Sequence, residues 1–440
     1  MEACRVLRAV DIAEVLAGAL SDAAGWRFTI TSSSGVSIGI DDSRLGGAYS
    51  PPVQSSEITG SVFIIWDDGT VSKGIVDSRT HTRLVRDVSL WRSLAYRDDD
   101  AAYIAPLAPP AQVEMWDPRV AAVVESHPRS AFEALAAVAR TAQAEGVEYL
   151  DSRVRCSRGE TVTATSNGLW ANYSHTSAAC GWELDKAFGM VRLGRDIETW
   201  RGLDTLVGHT AVLLRASRNR IQLSSADMPV ILWPTVVDDL IDHYLLRNLD
   251  GEAVAEGRSR FSADQFNRGY QAFRSDMQLY LDSTRPMGPG SYPCTAEGVP
   301  AGRVQVADKG KLVSPFLNLK YARRTSMEPT PTPVPGLSPG HAGIRLILGS
   351  HAGISELLSG QDEALLVTDV LGMHTQDPVS GNFSLAVSDG LIVRRGKLEG
   401  ATKAVISGNF FDALAAPGTL AACDPDYDNP ALVVTCHVEA

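Results

Sequence analysis

The chain has 440 residues, enough for two or three domains, and its 44% apolar and 21% charged residues are typical of an ordinary globular protein. A formal net charge of −12 disfavours nucleic acids and anionic membranes as partners, and no window reaches the roughly 18 uninterrupted apolar residues of a membrane span. Six cysteines without a C-x-x-C pair indicate the reduced cytoplasm rather than a disulfide framework or a zinc knuckle.

The first predicted domain is an N-terminal α+β domain over residues 1–115. Its opening stretch, 1–25, holds Asp11 and Glu14 within an apolar pattern, which indicates an amphipathic helix rather than a signal peptide. Alternating stretches predict strands at 26–30, 35–40, 61–66 and 70–75, and Asp67-Asp68-Gly69 supplies a hairpin turn. A Pro-rich stretch at 105–118 is predicted to be the linker that closes this domain.

The middle segment, residues 116–218, combines helices and hairpins. Ser130 and Glu133 have capping-box spacing, which predicts the start of a helix that ends at Gly146. Short strands are predicted at 147–150, 153–155, 160–165 and 169–174. Asn167-Gly168 between the last two predicts a type I′ hairpin turn, and a further helix is predicted over 205–217.

The third segment, residues 219–440, is organised around one helix. A buried strand is predicted at Val230–Trp233, followed by a turn at Pro234 and then the helix. The apolar stripe of this helix, at i, i+3, i+4, i+7 and i+8, consists of Val237, Leu240, Ile241, Tyr244 and Leu245. Asp242 and His243 fall off the stripe and Arg247 lies on its margin. The helix is therefore predicted to have one packed side and one polar side.

After the helix, the chain is predicted to be mostly strands. The stretch 303–312 predicts a hairpin, and prolines at 329, 331, 333, 335 and 339 predict an extended exposed loop. Asn382 and Asn409 each follow a glycine, which favours a structural role in tight turns over a binding role.

Several of these stretches resemble the TldD/PmbA family. They are Glu297-Gly298-Val299-Pro300, Lys320-Tyr321-Ala322-Arg323-Arg324, Ser380-Gly381-Asn382-Phe383-Ser384 and Ile406-Ser407-Gly408-Asn409-Phe410. The resemblance is strong from about residue 200 onward and weak before 100. It implies an α+β fold class: an N-terminal α/β domain followed by a larger, mostly antiparallel β-rich C-terminal domain with a central helix.

The family's protease-type subunit carries an H-E-x-x-x-H zinc motif on the corresponding helix, which this chain lacks. With residues 249–252 aligned to the family's Leu-Glu-Gly-Asp, Asp242 replaces the first histidine, His243 the glutamate and Arg247 the second histidine. Arginine stays protonated and cannot bind zinc. The family's protease-type subunit also has a cysteine ligand in a Cys-Gly-Lys stretch. The corresponding residue here is Cys423, but it is not followed by Gly-Lys.

The resemblance therefore implies a PmbA/TldE-like, non-catalytic subunit with no metal or other cofactor of its own. Its expected partner is a TldD-like zinc protease subunit in the cytoplasm, and the expected substrates are small, unfolded or modified peptides. Asp242, His243 and Arg247 are candidate binding residues in a cleft. Two alternatives stay open: a homodimeric peptide- or ligand-binding protein, and a hydrolase with a diverged, non-zinc site.

A cysteine-histidine nucleophile is the main hydrolase alternative. Cys436 and His437 are adjacent, but neighbours on a strand point to opposite faces of the sheet. His175 and Cys180 do not form a recognisable motif, and the chain has no G-x-S-x-G or phosphate-binding loop. The sequence thus favours a subunit without an active site of its own.

Overall fold

The computed structural model describes residues 8–44, 49–331, 343–349 and 352–440. The chain folds into two compact units. Unit 1 comprises Met1–Gly208, Ser283–Gly302 and Leu317–Leu337, and unit 2 comprises His209–Asp282, Arg303–Phe316 and Ser338–Ala440. Of the predicted Pro-rich loop, positions 333, 335 and 339 lie outside the described residues.

The predicted α+β fold class is confirmed by long antiparallel strands and short helices. The helices are α1 (Ala9–Ala19), α2 (Leu84–Ser93), α3 (Pro118–Glu125), α4 (Arg129–Ala144), α5 (Leu203–Ser217), α6 (Pro234–Leu240), α7 (Arg247–Leu249), α8 (Gly251–Ala255), α9 (Ala263–Asn267), α10 (Leu319–Thr325), α11 (Ile354–Ser359) and α12 (Phe410–Ala415). Within the described part of the chain, no helix combines the length and hydrophobicity needed to cross a membrane.

Among the described residues, the following strands form three sheets. In chain order they are β1 (Gly25–Arg44), β2 (Val53–Ile65), β3 (Thr70–Asp77), β4 (Tyr96–Arg97), β5 (Tyr149–Thr165), β6 (Trp170–Leu184), β7 (Phe188–Gly194), β8 (Ala226–Leu232), β9 (Gln278–Asp282), β10 (Arg303–Asp308), β11 (Lys311–Leu312), β12 (Ile344–Ile347), β13 (Ala352–Gly353), β14 (Glu363–Val367), β15 (Asn382–Arg394), β16 (Lys397–Asn409), β17 (Leu420–Cys423) and β18 (Ala431–Glu439).

Unit 1 is built on an antiparallel sheet with strand order β4-β3-β2-β1-β5-β6-β7. Phe28 and Ile30 of β1 and Val162 of β5 pack with Leu16 of α1 and Trp91 of α2 in one buried core. Strand β1 pairs with β5 from residue 27 to residue 44, so residues on both sides of the predicted linker at 105–118 share this sheet.

Two strands of this sheet are longer than predicted. The stretches predicted as separate strands at 26–30 and 35–40 form the single strand β1, and those between 147 and 165 merge into β5. Gly159 lies inside β5, where it allows close packing against the neighbouring strand. A Cβ on Gly159 would lie 2.6 Å from Cε1 of His175 on the neighbouring strand, which only glycine tolerates.

Two local predictions in the middle segment are wrong in detail. Helix α4 begins at Arg129, and Pro128 at its N-cap makes no side-chain capping bond; Glu133 pairs with Arg129 at 2.8 Å instead of completing a capping box with Ser130. The β5–β6 hairpin is present, but only Gly168 of the Asn167-Gly168 pair has a positive φ, +105°. The turn is therefore not type I′, which needs positive φ at both residues.

Unit 2 contains two sheets. One has strand order β11-β10-β9-β12, and the other β13-β17-β18-β16-β15-β14-β8. In the second sheet β8 also pairs antiparallel with β18, so β8, β14, β15, β16 and β18 form a closed ring of paired strands. The ring leaves β8 paired on both edges, and the chain passes from its end directly into the central helix.

Candidate functional site

The central helix, residues 234–249, is the core of the candidate site. It starts at Pro234, which suits the first helical position because that residue needs no backbone N–H donor. Helix α6 widens into π-helical turns at Ile241–Leu246 and continues as α7. The predicted apolar stripe is confirmed, since all five of its side chains are at most 1% exposed. A π-helical stretch within an α-helix often marks a functional position.

The three candidate residues lie on the π-helical stretch and at the start of α7, but in different environments. Asp242 is half-buried, His243 is 6% exposed and Arg247 is exposed. Within the described ranges Arg247 forms no ion pair, and Glu252 on α8 binds Arg258 at 2.7 Å. Arg247 is therefore the exposed member of the three, and its guanidinium is accessible to a ligand.

His243 is buried because a later part of the chain lies over it. This covering segment, residues 372–380, comes from the loop before β15. The His243 ring nitrogen Nε2 lies 3.0 Å from the backbone oxygen of Gln376. A carbonyl oxygen can only accept a hydrogen bond, so Nε2 carries the proton. The sequence could not show this contact, which joins positions more than a hundred residues apart.

Burial lowers the pKa of His243 below its ordinary value of 6.5. The hydrogen bond to Gln376 opposes this shift, Arg247 and His374 lower the pKa further, and Asp377 raises it. The lowered pKa favours a neutral His243 near neutral pH. A neutral imidazole beside Arg247 avoids the repulsion that two cations would suffer.

Asn248 is a functional position that the sequence analysis missed. It is 1% exposed, and its amide Nδ2 donates to the backbone oxygens of Tyr244 at 2.9 Å and Pro378 at 2.8 Å. Its Oδ1 accepts from the backbone N–H of Arg260 at 2.6 Å. Asn248 thereby joins the central helix to the covering segment and to the chain beyond α8. A polar residue one turn after Tyr244 on the packed face was the available signal.

The far end of the covering segment is held by the stretch around Asn409. The Asn409 amide donates to the backbone oxygen of Ser380 at 2.9 Å and to Oδ1 of Asn382 at 2.8 Å. Its own Oδ1 accepts from the backbone N–H of Asp412, which caps α12. The hydroxyl of Tyr244 donates to the backbone oxygen of Asn382 at 2.8 Å. These bonds give both asparagines a structural role, as predicted.

Zinc does not fit the residues at the family's motif positions. Arg247 has no lone pair to donate, and His243 is 6% exposed beneath the covering segment. Cys423 is exposed at the end of β17. Among the residues that the structure describes, no group of three or more His, Cys, Asp or Glu side chains could hold a metal ion.

The structure also separates the cysteine-histidine pairs. Cys436 is buried, and burial raises the pKa of its thiol to about 12, whereas His437 is exposed and pairs with Asp227 at 2.8 Å. Burial raises the pKa of Cys180 to about 12 and lowers that of His175 to about 4. A thiol that stays protonated near neutral pH is a poor nucleophile, so neither pair is equipped for catalysis.

We expect the covering segment to loosen as the pH falls below about 6.5, which is the ordinary pKa of a histidine side chain. The covered state lowers the pKa of His243, so the uncovered state takes up a proton more readily. The stabilising effect of neutral His243 is therefore complete above that pH and is lost as the pH falls through the lowered pKa. Hydrogen exchange of residues 372–380, corrected for intrinsic rates, should show decreasing protection.

The matched variants for this prediction are His243→Gln and His127→Gln. The first keeps a side-chain donor but removes the titrating ring, so the pH dependence should flatten. The second alters an exposed histidine in unit 1 and should leave it unchanged. Protection that does not vary with pH in the unmodified chain would contradict the assignment.

Comparison with known proteins shows similarity in both sequence and fold. Residues 225–438 match the family model described as the PmbA/TldA metallopeptidase C-terminal domain. A metalloprotease of Synechocystis sp. is 23% identical over 257 residues, 54% of each chain. An uncharacterised protein of Methanocaldococcus jannaschii is 23% identical over 186 residues, 42% of this chain and 43% of that protein. The chain thus spans about half the length of the curated relatives it matches.

The solved structures that resemble this chain extend over nearly its whole length. TldE from Thermococcus kodakarensis superposes with a TM-score of 0.81 at 14% identity, covering 98% of this chain and 100% of that one. A Thermotoga maritima protein named as a proposed modulator of DNA gyrase gives a TM-score of 0.78 at 19% identity, covering 98% and 99%. At such identities the likeness establishes the fold alone.

Proposed function

We propose that this chain, whose residues 225–438 match the family model described as the PmbA/TldA metallopeptidase C-terminal domain, is the non-catalytic, TldE-like subunit of an intracellular metalloprotease complex. Its partner is a TldD-like subunit that carries the zinc, and the complex processes or degrades small, unfolded or modified peptides in the cytoplasm. One observation carries the proposal. The central helix keeps its packed stripe, but Asp242, His243 and Arg247 stand where the protease-type subunit has H-E-x-x-x-H.

The geometry argues against a diverged hydrolase built on the same residues. His243 is 6% exposed because the covering segment lies over it, so its ring is not placed to take a proton from a substrate. Arg247 remains exposed and, within the described ranges, without an ion pair. We propose that it binds a carboxylate of the peptide substrate through its planar guanidinium.

The test reconstitutes the complex with a TldD-like sibling that contains H-E-x-x-x-H. Cleavage of an unstructured peptide should require both chains, and metal analysis should find zinc only with the sibling. One zinc per copy of this chain, lost in His243→Ala, would contradict the proposal, as would cleavage by this chain alone. A stable homodimer that binds peptide and ignores the sibling would favour the binding-protein alternative.

The Arg247→Ala variant tests the substrate contact within the assembled complex. It should lower peptide processing about tenfold or more, the effect of losing one charge-assisted hydrogen bond, with assembly intact. Arg268→Ala is the matched control, because Arg268 is an exposed arginine of the same unit, paired with Asp264. Unchanged processing in Arg247→Ala, or lost assembly, would remove Arg247 from the substrate site.

A further inference from the structure

A locally basic stretch stands out in this acidic chain. Residues 79–97 contain five arginines and one aspartate, a formal charge of +4, whereas the whole chain carries −12. The stretch contains helix α2 and lies in unit 1, away from the central helix in sequence. Neither the family resemblance nor the proposed function makes use of it.

The same stretch exposes large apolar side chains. Helix α2 buries Leu84, Val88 and Trp91 against the core of unit 1. On its outer side Leu90 is 55% exposed, and Leu94, at the helix end, is 65% exposed. Exposed apolar groups that lie together, rather than singly, mark interaction surfaces.

The arginines beside these leucines differ: two are held in ion pairs within the unit and two are not. Arg92 binds Asp68 at 2.7 Å, and Arg97 binds Asp99 at 3.1 Å. Arg83 and Arg86 are exposed and form no ion pair with any described residue. Arg86, Leu90 and Leu94 follow each other at four-residue spacing, so they form one row along the outer side of the helix.

We propose that this row, together with Arg83, binds an acidic segment of a protein partner that carries apolar residues between its carboxylates. The two guanidinium groups can each hold a carboxylate bidentately, and Leu90 and Leu94 gain burial against the apolar residues. The net negative charge of the chain repels most acidic proteins. The stretch 79–97 is locally positive, so charge complementarity favours an acidic segment at this surface.

An anionic membrane fits the surface less well. A helix that lies in a membrane interface inserts its apolar face, but Leu84, Val88 and Trp91 of α2 are already packed in the protein core. The exposed Leu90 and Leu94 each follow a serine, so the exposed side of the helix is only partly apolar. The net charge of −12 also opposes approach to anionic lipid. The protein partner is therefore the occupant that the structure favours.

The test measures binding of the full chain to a synthetic helical peptide of glutamates and leucines by fluorescence anisotropy. A counterpart with lysine in place of glutamate should not bind. Arg83→Glu/Arg86→Glu should weaken binding of the acidic peptide at least about tenfold, and Leu90→Ser/Leu94→Ser should weaken it by a similar factor. All four side chains are exposed, so both variants should keep the unmodified melting temperature.

The matched control is Arg129→Glu/Arg140→Glu on α4, which changes the net charge by the same amount at two other exposed arginines. Its affinity for the acidic peptide should stay within about twofold of the unmodified chain. Equal weakening by the control pair would mean non-specific charge attraction and would overturn the proposal. So would binding of the full chain to phosphatidylserine vesicles without binding to the peptide.

Discussion

Replacing Arg27 with methionine should lower the free energy of unfolding of unit 1 by about 3–5 kcal/mol, because it leaves a buried carboxylate without its cation. Arg27 and Glu297 are 7% and 8% exposed, and Nη2 of Arg27 lies 2.8 Å from Oε1 of Glu297. Glu297 belongs to the Glu-Gly-Val-Pro stretch that contributes to the family resemblance. The pair joins strand β1 to that stretch across 270 positions of sequence.

The surroundings of the pair satisfy its remaining hydrogen-bonding groups. Nη1 of Arg27 donates to the backbone oxygen of Tyr103 at 2.7 Å, and the guanidinium lies 4.0 Å from the centre of the Phe63 ring. Oε2 of Glu297 accepts from the backbone N–H of Leu319 at 2.7 Å. Burial lowers the pKa of Arg27, against the opposing effect of Glu297. Removing the arginine thus breaks a network rather than one bond.

An exposed pair of the same length provides the control. Arg129 and Glu133 on α4 are also 2.8 Å apart, but their side chains are 89% and 62% exposed. Arg129→Met should cost no more than about 0.5 kcal/mol, since water already solvates both charges. Chemical denaturation of both variants measures the difference, and Arg27→Met/Glu297→Gln should recover part of the loss. Similar costs for Arg27→Met and Arg129→Met would refute the argument from burial.

Replacing Gly381 with alanine should destabilise unit 2 by about 2–4 kcal/mol, from backbone strain and a steric clash together. Gly381 has φ +76°, and a Cβ there would lie 2.2 Å from Cδ2 of Phe411. Phe411 cannot move aside easily, because it is 3% exposed and its ring contacts Tyr244 and Phe261. The change should also release the covering segment, whose protection from hydrogen exchange should fall.

Gly257→Ala separates the two contributions in the same unit. Gly257 has a similar φ, +68°, but a Cβ there would have no atom within 4 Å. Its substitution should cost only the backbone strain, roughly 1–2 kcal/mol, and leave the covering segment protected. If both glycine variants lose the same stability in urea denaturation, the contact with Phe411 contributes nothing.

Much of the local structure followed from short-range rules. The apolar stripe of the central helix was predicted because a 3.6-residue period depends only on neighbouring positions, and each of its five side chains is buried. The hairpins at Asp67-Asp68-Gly69 and Lys309-Gly310 were predicted for the same reason, since a tight turn is specified by its own residues. The replacement of the zinc ligands could also be read directly, because an arginine cannot bind zinc in any fold.

Local rules failed at the boundaries of two strands and at one predicted helix cap. The strands predicted on either side of residues 31–34 and 156–159 are continuous, because β1 and β5 pair with their neighbours without a break through Gly35 and Gly159. Ser130 and Glu133 had the spacing of a capping box with Ser130 at the N-cap, yet the N-cap is Pro128, two residues earlier. The strand lengths are set by pairing with distant strands, which no short stretch of sequence contains.

What the sequence determined by itself was the set of stretches that carry the family resemblance, which implied the fold class, and the absence of the zinc motif. Both depend on residue type and short spacing. The tertiary structure alone decided that His243 is buried while Arg247 stays exposed, that Asn248 joins the helix to the covering segment, and that Arg27 pairs with Glu297. These features depend on segments that are distant in sequence. Burial and pairing are set by which surfaces meet when the whole chain packs, and no local pattern contains that information.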